Sequence, residues 1–483
     1  MGIGDAKFGV QVGIGVVGRA VAYVIAFFGS ILLARVLGPN EYGVFYLMLS
    51  IVSFLDNPVT GWAEGCRKRF TEDGFPSDEA LGSALLAIMV ASVALTAFAW
   101  LFSPFIRSFT GSADGWLLLA ALYVGVVTYQ TSNEILKGTE YFGTSPWVQS
   151  GRDMMRVIGQ AALVLAGFGV AGMVGGMVLA NLLIAPVVVY AVGVRPRFPS
   201  RDAVRTIWTY ARYSIPSGIV GTAQQRMDRI LLGFLASTAV LGNYEVALKL
   251  TLPAMFVAGI AQDGLMSRIS NRRSRDESFA ADIQNNLANA SVFGIPLFFG
   301  ALTLGGPVVV TLYSNQYSDA VPFFAGLALF RLLRTQKSIL TGVLNGLNRP
   351  ELNFRISLGV FSFNLIAGVA LLFAIGPIGV VIATVVSEVF AYGVRGYMVR
   401  SLVPSVQLFP RLLIEQVLSG AVMAVIVYAA RLALPLATWP YVFAVVGLGG
   451  VTYFAVLTAI SHSFRATVVA VARDAGLPVP RFD

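Results

Sequence analysis

Between Ala80 and Phe102 the chain runs 23 residues without one charged side chain. A helix of about 20 apolar residues crosses the hydrocarbon core of a bilayer, and little else calls for such a run. The pattern recurs. Fourteen spans read this way: 8–36, 42–62, 80–102, 115–136, 147–168, 170–194, 213–236, 240–263, 286–312, 321–345, 355–374, 377–399, 411–431 and 440–461. The second is broken by Asp56-Asn57-Pro58, and the seventh carries Gln224-Gln225-Arg226-Met227-Asp228-Arg229. If one of these weak spans and a neighbour form a re-entrant pair, the number drops to twelve. Charged residues make up 12% of the chain, half the roughly 25% of a soluble domain. A soluble multidomain protein is therefore excluded.

Lys and Arg test the span number, because short cytoplasmic loops retain them. With the N-terminus inside, the inner segments carry 21 of the 34 basic residues, in groups such as Arg67-Lys68-Arg69 and Arg195 to Arg212. The outer segments carry only Arg35, Arg107 and Arg431. A wrong number of spans would scramble this alternation. It predicts a multi-pass protein of the cytoplasmic membrane with both termini in the cytoplasm. The start, MGIGDAKFGV, shows no cleavage site and reads as the entry to the first span. Ala6 stands where a myristoylation motif needs Ser or Thr. The net charge of +9 does not point to nucleic acid, since it sits in short loops between spans. One cysteine, Cys66, and one histidine, His462, exclude an internal disulfide and a Cys/His zinc site. No metal or other cofactor is expected.

The segment VRPRFPSRDAVRTIWTYARYS, residues 194–214, divides the chain. It is basic and proline-punctuated, and it reads as a linker that becomes an interfacial amphipathic helix. The second half of the chain resembles the first. Under a shift of 199 residues, Ile31-Leu32-Leu33 falls on Ile230-Leu231-Leu232, Gly43 on Gly242, Leu49 on Leu248, Gly65 on Gly264 and Arg69 on Arg268. Both halves start on the same side, so the repeat is parallel, a build used by transporters with the substrate site between the halves. The expected fold is an all-α polytopic membrane protein of about fourteen transmembrane helices, in two six-helix pseudo-repeat bundles plus two extra C-terminal helices. The expected boundaries are 1–195 for the first bundle, 196–212 for the linker, 213–403 for the second bundle and 404–483 for the last two helices with a cytoplasmic tail.

Gly13-Ile14-Gly15-Val16-Val17-Gly18 matches a dinucleotide fingerprint, but that motif needs a preceding strand and a βαβ unit. Inside an apolar span, small residues serve close helix approach instead. Charges within spans carry more information, because burying one costs at least about 2.5–3.5 kcal/mol and so usually marks a wet cavity or a partner. The cations are Arg19, Arg226, Arg229, Lys249, Arg331, Arg334 and Lys337. Arg226/Arg229 and Arg331/Arg334 are i,i+3 pairs on one helix face each. The acids are Asp56, Glu134, Asp228, Glu245 and Glu388. Local pairs such as Asp228 beside Arg229, or Glu245 four residues before Lys249, could neutralise each other as purely structural contacts. The cations nevertheless outnumber the acids deep in the spans, and a cationic cavity suits a phosphate, which arginine binds through its fork of donors. Arg152, Arg156 and Arg355 sit nearer the cytoplasmic side and read as contacts to lipid headgroups.

The first span ends ILLARVLGPNEYG and is followed by VFYLMLSI. Through Ala34-Arg35, Leu37-Gly38-Pro39 and Glu41-Tyr42-Gly43, this stretch resembles the polysaccharide-biosynthesis flippases, the Wzx-like branch of the multidrug/oligosaccharidyl-lipid/polysaccharide transporter superfamily. Asn-Gly-Leu-Asn-Arg-Pro at 345–350 also looks like that family's loop there. The resemblance implies a membrane transporter rather than an enzyme, moving a lipid-linked oligosaccharide on a polyprenyl or dolichyl phosphate carrier to the outer leaflet by alternating access. The cationic set becomes the candidate phosphate and saccharide site. Asp56, Glu134, Glu245 and Glu388 become candidates for coupling to H+ or Na+. Gly38 and Pro39 are expected to end the first helix in a short external turn, with Gly43 opening the second. Two other classes compete: a cation-coupled exporter of the related multidrug branch, which should present deep acids, and a membrane scaffold, which the lack of a sizeable extramembrane domain argues against.

Overall fold

The structure, a computed structural model, describes residues 3–70, 75–139, 145–255, 278–436 and 438–474, with single positions at 72 and between 265 and 275. Side chains are described from residue 25 onward, apart from 145, 146, 191 and 470–474. Among these residues there is no strand, and each of the fourteen expected spans falls on helix, the eighth only as far as Met255. The chain is an all-α polytopic membrane protein. Seven helical stretches are long and apolar enough to cross a membrane unaided, and nine if two bent pairs each form one span. The rest of the difference has physical causes. The stretch Trp147–Tyr190 holds two expected spans, folded back at Gly167 and Gly169, both at positive φ. The helix Ala320–Gly346 is set apart by Arg331, Arg334 and Lys337, and Arg201–Leu231 by its many polar residues.

Helix α1 runs from Ile3 to Leu55, but it is two helices joined without a loop. Gly38 has φ 72° and ψ 173°, a conformation that suits glycine alone, and Pro39 starts the next segment where its missing N–H costs nothing. The expected turn is therefore a kink at a single residue. Gly43 does not open the second helix. It lies four residues inside it, where a Cβ would strike the Thr238 carbonyl. A second break at Asp56 turns the chain by 49° into α2, Asn57–Phe70. Asn57 donates its side-chain amide to the Ser53 and Phe54 carbonyls, 2.9 and 3.0 Å away, which the break has freed from helical pairing.

The chain divides into two compact units, Met1–Gly242 and Asn243–Asp483. Unit one continues with α3 Ser77–Leu101, α4 Ser103–Thr110, α5 Gly115–Lys137, α6 Ser145–Leu163, α7 Gly169–Val192 and α8 Arg201–Leu231. A short π-helical turn, Leu232–Ala236, leads to α9, Thr238–Leu250, on which the two units divide. The linker expected at 196–212 is not separate from the seventh span: both lie on α8. Ser200 caps that helix by accepting from the Ala203 N–H, and it is itself held by Glu79 at 2.6 Å. Ala203, Ile207 and Ala211 are buried at four-residue spacing, Ile207 against Cys66, Leu81 and Ala84, while Trp208 and Tyr213 face outward. Helix α8 packs along α2, with Gly61 against Ile215 and Gly65 against Ile207. Segment 213–236, placed by sequence in the second bundle, thus packs within unit one.

Unit two contains α10 Ala280–Ala290, α11 Gly294–Tyr313, α12 Ala320–Gly346, α13 Pro350–Ile375, α14 Ile378–Leu402, α15 Arg411–Ala433, α16 Trp439–Ile460 and α17 His462–Asp474. Two apolar cores hold it. One joins α10, α12 and α14 through Leu287, Leu340, Val343 and Val399. The other joins α11, α15 and α16 through Ile295, Met423, Val445 and Tyr453. The outward faces of α13, α15 and α16 present Ile366, Phe373, Val425 and Val451, as helices bathed in hydrocarbon do.

Candidate functional site

In unit one, two candidates from opposite charge classes meet. Asp56 is buried at the α1–α2 break, and the positive charge of Arg226, on α8, acts on it. The sequence separates them by 170 residues. Their encounter follows from the packing of α8: Gly218 brings its backbone so close that a Cβ there would lie 2.8 Å from Asn57 Oδ1, and Thr222 donates to that same oxygen at 3.1 Å. Gly218, Thr222 and Arg226 stand one turn apart on a single face. Tyr123 on α5 closes the other side, donating to the Leu55 carbonyl at 3.3 Å. Arg229 donates to the Gln225 carbonyl at 3.0 Å within α8.

Glu134, another acidic candidate, lies elsewhere. Arg67 and Lys137 each bring a cation to 2.6 Å of its two oxygens. These contacts tie the end of α2 to the end of α5. Arg19 is on α1 and its side chain falls outside the described ones. The glycine motif at 13–18 is helical, which removes the dinucleotide reading. The Arg152 guanidinium lies over the Tyr129 ring, 3.9 Å from the centroid. Among the described residues no three His, Cys, Asp or Glu side chains gather in one place.

Unit two holds the richer cluster. Arg331, Arg334 and Lys337 recur every three residues along α12. The Phe330 ring lies between the first two, 5.6 Å from Arg331 and 5.5 Å from Arg334. Arg331 donates through Nε to Thr251 Oγ1 at 3.2 Å, just beyond α9. Lys337 forms an ion pair with Glu388 of α14 at 2.7 Å. The other carboxylate oxygen, Glu388 Oε2, is buried and makes no hydrogen bond. On α9, Glu245 is buried one turn before the half-buried Lys249.

One residue of this cluster escapes a reading of the sequence. The sequence reading groups Arg395, near the end of the twelfth span, with the basic residues of the inner side, whereas α14 extends to Leu402 and leaves Arg395 only 3% exposed. Its guanidinium donates to Ser357 Oγ at 2.7 Å, to Asn353 Oδ1 at 3.2 Å and to the Ala391 carbonyl at 3.4 Å. Asn353 is in turn fixed by Asn345 Oδ1 and the Thr341 carbonyl, at 2.7 and 3.1 Å. Electrostatically, Glu388 acts on both Lys337 and Arg395, and Arg334 acts on Lys337. Lys337 and Arg395 thus share the Glu388 carboxylate, and Arg334 adds a third positive charge acting on Lys337. The available signal was the seven-residue step from Glu388 to Arg395, two turns along one helix face.

The chain matches the family described as polysaccharide biosynthesis protein over residues 32–322. Two proteins of Haloferax volcanii are similar to it. "Probable flippase AglR" is 26% identical over 441 residues, covering 89% of this chain and 91% of that protein. "Probable low-salt glycan biosynthesis flippase Agl15" is 23% identical over 365 residues, covering 75% and 77%. Among solved structures, lipid II flippase MurJ in an inward closed conformation superposes with TM-score 0.79 over 94% of this chain and 99% of that one, at 15% identity. An outward-facing multidrug resistance MATE family transporter of the MOP superfamily superposes with TM-score 0.53 over 82% of this chain and 95% of that one, at 17% identity.

Proposed function

Because the chain belongs to the polysaccharide biosynthesis protein family, we propose that it is a flippase that moves a saccharide linked to a polyprenyl or dolichyl (pyro)phosphate from the cytoplasmic to the outer leaflet. It acts as a transporter rather than an enzyme, in the cytoplasmic membrane, with both termini inside and access alternating between the two sides. The observation that carries the reading is the excess of cations within unit two, where Lys337 pairs with Glu388 while Arg334 and Arg395 add two further positive charges that act on Lys337. Such a surplus suits an anionic headgroup, while the prenyl chain stays in lipid. Arg226 and Arg229 in unit one, and Lys249 and Arg331 in unit two, are the further candidates for contact with phosphate and saccharide. The names of the two Haloferax relatives support the substrate class.

Asp56 and Glu388 are the favoured candidates for coupling to H+ or Na+, since each is buried beside a cation that a bound ion could release. Glu134, clamped by two cations, is a structural anchor in this reading, and Glu245 remains a weaker coupling candidate. The test is complementation of a deletion strain with Arg331→Ala and Arg334→Ala. Surface glycan should fall at least tenfold while the variants reach the membrane at the wild-type level. Normal glycan in both would overturn the site. Drug sensitivity in the deletion strain with unchanged glycan would favour the multidrug exporter instead.

A further inference from the structure

Helix α6 carries a second cationic centre, inside unit one. Arg152, Asp153 and Arg156 lie within the apolar stretch Trp147–Tyr190. Arg152 Nη1 donates to Asp153 Oδ1 at 2.8 Å, and Arg156 Nη2 lies 3.4 Å from the same oxygen. One carboxylate therefore serves two guanidinium groups, and one positive charge is left in excess. The Nε atoms of both arginines are buried and make no hydrogen bond within the protein. The Arg152 side chain is held in place. Arg152 is pressed over the Tyr129 ring on α5 and only 11% exposed. Next to Arg156, Val157 is packed so tightly on α1 that a Cβ on Gly29 would lie 2.3 Å from its Cγ1. Arg156 itself keeps 28% exposure, so the centre is held rigidly yet remains reachable.

We propose that Arg152 and Arg156 form an oxyanion subsite within unit one that takes the phosphate of a lipid. The chemistry follows from the arrangement. The Tyr129 ring and Asp153 hold Arg152 in place, and the more exposed Arg156 guanidinium offers the donors that meet an oxyanion. Asp153 competes for both arginines, so it tunes the site towards reversible binding. The phosphate can come from a polyprenyl phosphate or from a bilayer phospholipid, and the proposal rests on the flippase reading only for the first of these sources.

The test uses the purified full-length protein in detergent, titrated by microscale thermophoresis with dolichyl phosphate, with short-chain phosphatidylglycerol, and with dolichol as the uncharged control. Arg152→Gln/Arg156→Gln should weaken binding of a phosphate-bearing lipid at least tenfold and leave dolichol unchanged. Asp153→Asn should tighten it about threefold or more, an effect that a merely structural role would not produce. Loss confined to dolichyl phosphate identifies the saccharide carrier as the source. A matching loss for phosphatidylglycerol identifies the bilayer lipid, and this arm stands even if the flippase reading fails. If the double variant does not fold, Asp153→Asn decides alone. Unchanged affinity of the folded double variant for both lipids, or unchanged or weaker binding by Asp153→Asn, overturns the proposal.

Discussion

Gly43 and Gly242 stand in reciprocal contact. A Cβ on Gly43 would lie 1.7 Å from the Thr238 carbonyl oxygen, and one on Gly242 would lie 2.0 Å from the Pro39 carbonyl oxygen. Pro39 and Thr238 are 199 residues apart, and so are Gly43 and Gly242. Each glycine therefore meets the repeat equivalent of the other's neighbour, which is the geometry of a twofold contact, residue i on j and j on i. Asn40 accepts from Thr238 Oγ1 at 2.5 Å across the same place. Any side chain here would push two backbones apart. Gly43→Ala and Gly242→Ala should each destabilise by at least the ~1–3 kcal/mol of an overpacked site. Thermal unfolding of the purified variants followed by size-exclusion fluorescence checks this, and wild-type melting in either variant would contradict it.

The Lys337–Glu388 pair makes a sharper prediction. Breaking a buried pair from one side leaves a charge without compensation and costs about 3–5 kcal/mol, whereas replacing both partners with apolar residues is often near neutral. Lys337→Met and Glu388→Leu should each lower stability strongly, and the double variant should recover most of the loss. Export should not recover, because the double variant has lost the proposed phosphate donor. A double-mutant cycle on melting, run beside a glycan assay, separates the two effects.

Arg395→Lys keeps the charge but loses the fork that reaches Ser357 and Asn353 together. The expected loss is about 1–3 kcal/mol for the buried polar groups left behind. Arg395→Ala should be worse, since Glu388 then faces one cation fewer. Equal melting of the lysine variant and wild type would show that charge alone is what α14 requires.

For Glu134→Gln the expectation is smaller. Its two partners, Arg67 and Lys137, are about one-third exposed, so the loss should fall between the ~1 kcal/mol of a surface pair and the ~3–5 kcal/mol of a buried one. Export at a temperature where the variant is folded should stay near wild type. Abolished export by a folded Glu134→Gln would return this residue to the coupling candidates.

Much of the fold is legible in the chain because the bilayer enforces it. A helix crossing hydrocarbon must satisfy its own backbone and show apolar side chains, so spans such as 80–102 announce themselves. Gly38-Pro39 is legible for a similar reason, as few residues can take that backbone. What cannot be read is anything decided by two helices meeting. Asp56 and Arg226 each stand out as charges in apolar surroundings, yet only Gly218 and Thr222 on the packed face of α8 bring them together. Arg395 is hidden because a basic residue at the end of an apolar run looks like a loop anchor, and its partners, Asn353 and Ser357, come from another helix. The contact of Arg152 is unreadable in the same way, since the Tyr129 ring beneath it lies on α5.

Helix α8 has a mechanical consequence. It joins the basic, aromatic segment near Arg201 to the Arg226–Arg229 pair in one helix of 31 residues, about 46 Å long at 1.5 Å per residue. Gly61 and Gly65 of α2 press against its middle at Ile215 and Ile207, and Pro216, which withholds one backbone hydrogen bond, lies beside that contact. The helix is thus built as a lever with a fulcrum and a joint. A tilt imposed on Trp208 and its neighbours, by the thickness or lateral tension of the surrounding lipid, is delivered at the far arm as a displacement of Arg226 against Asp56.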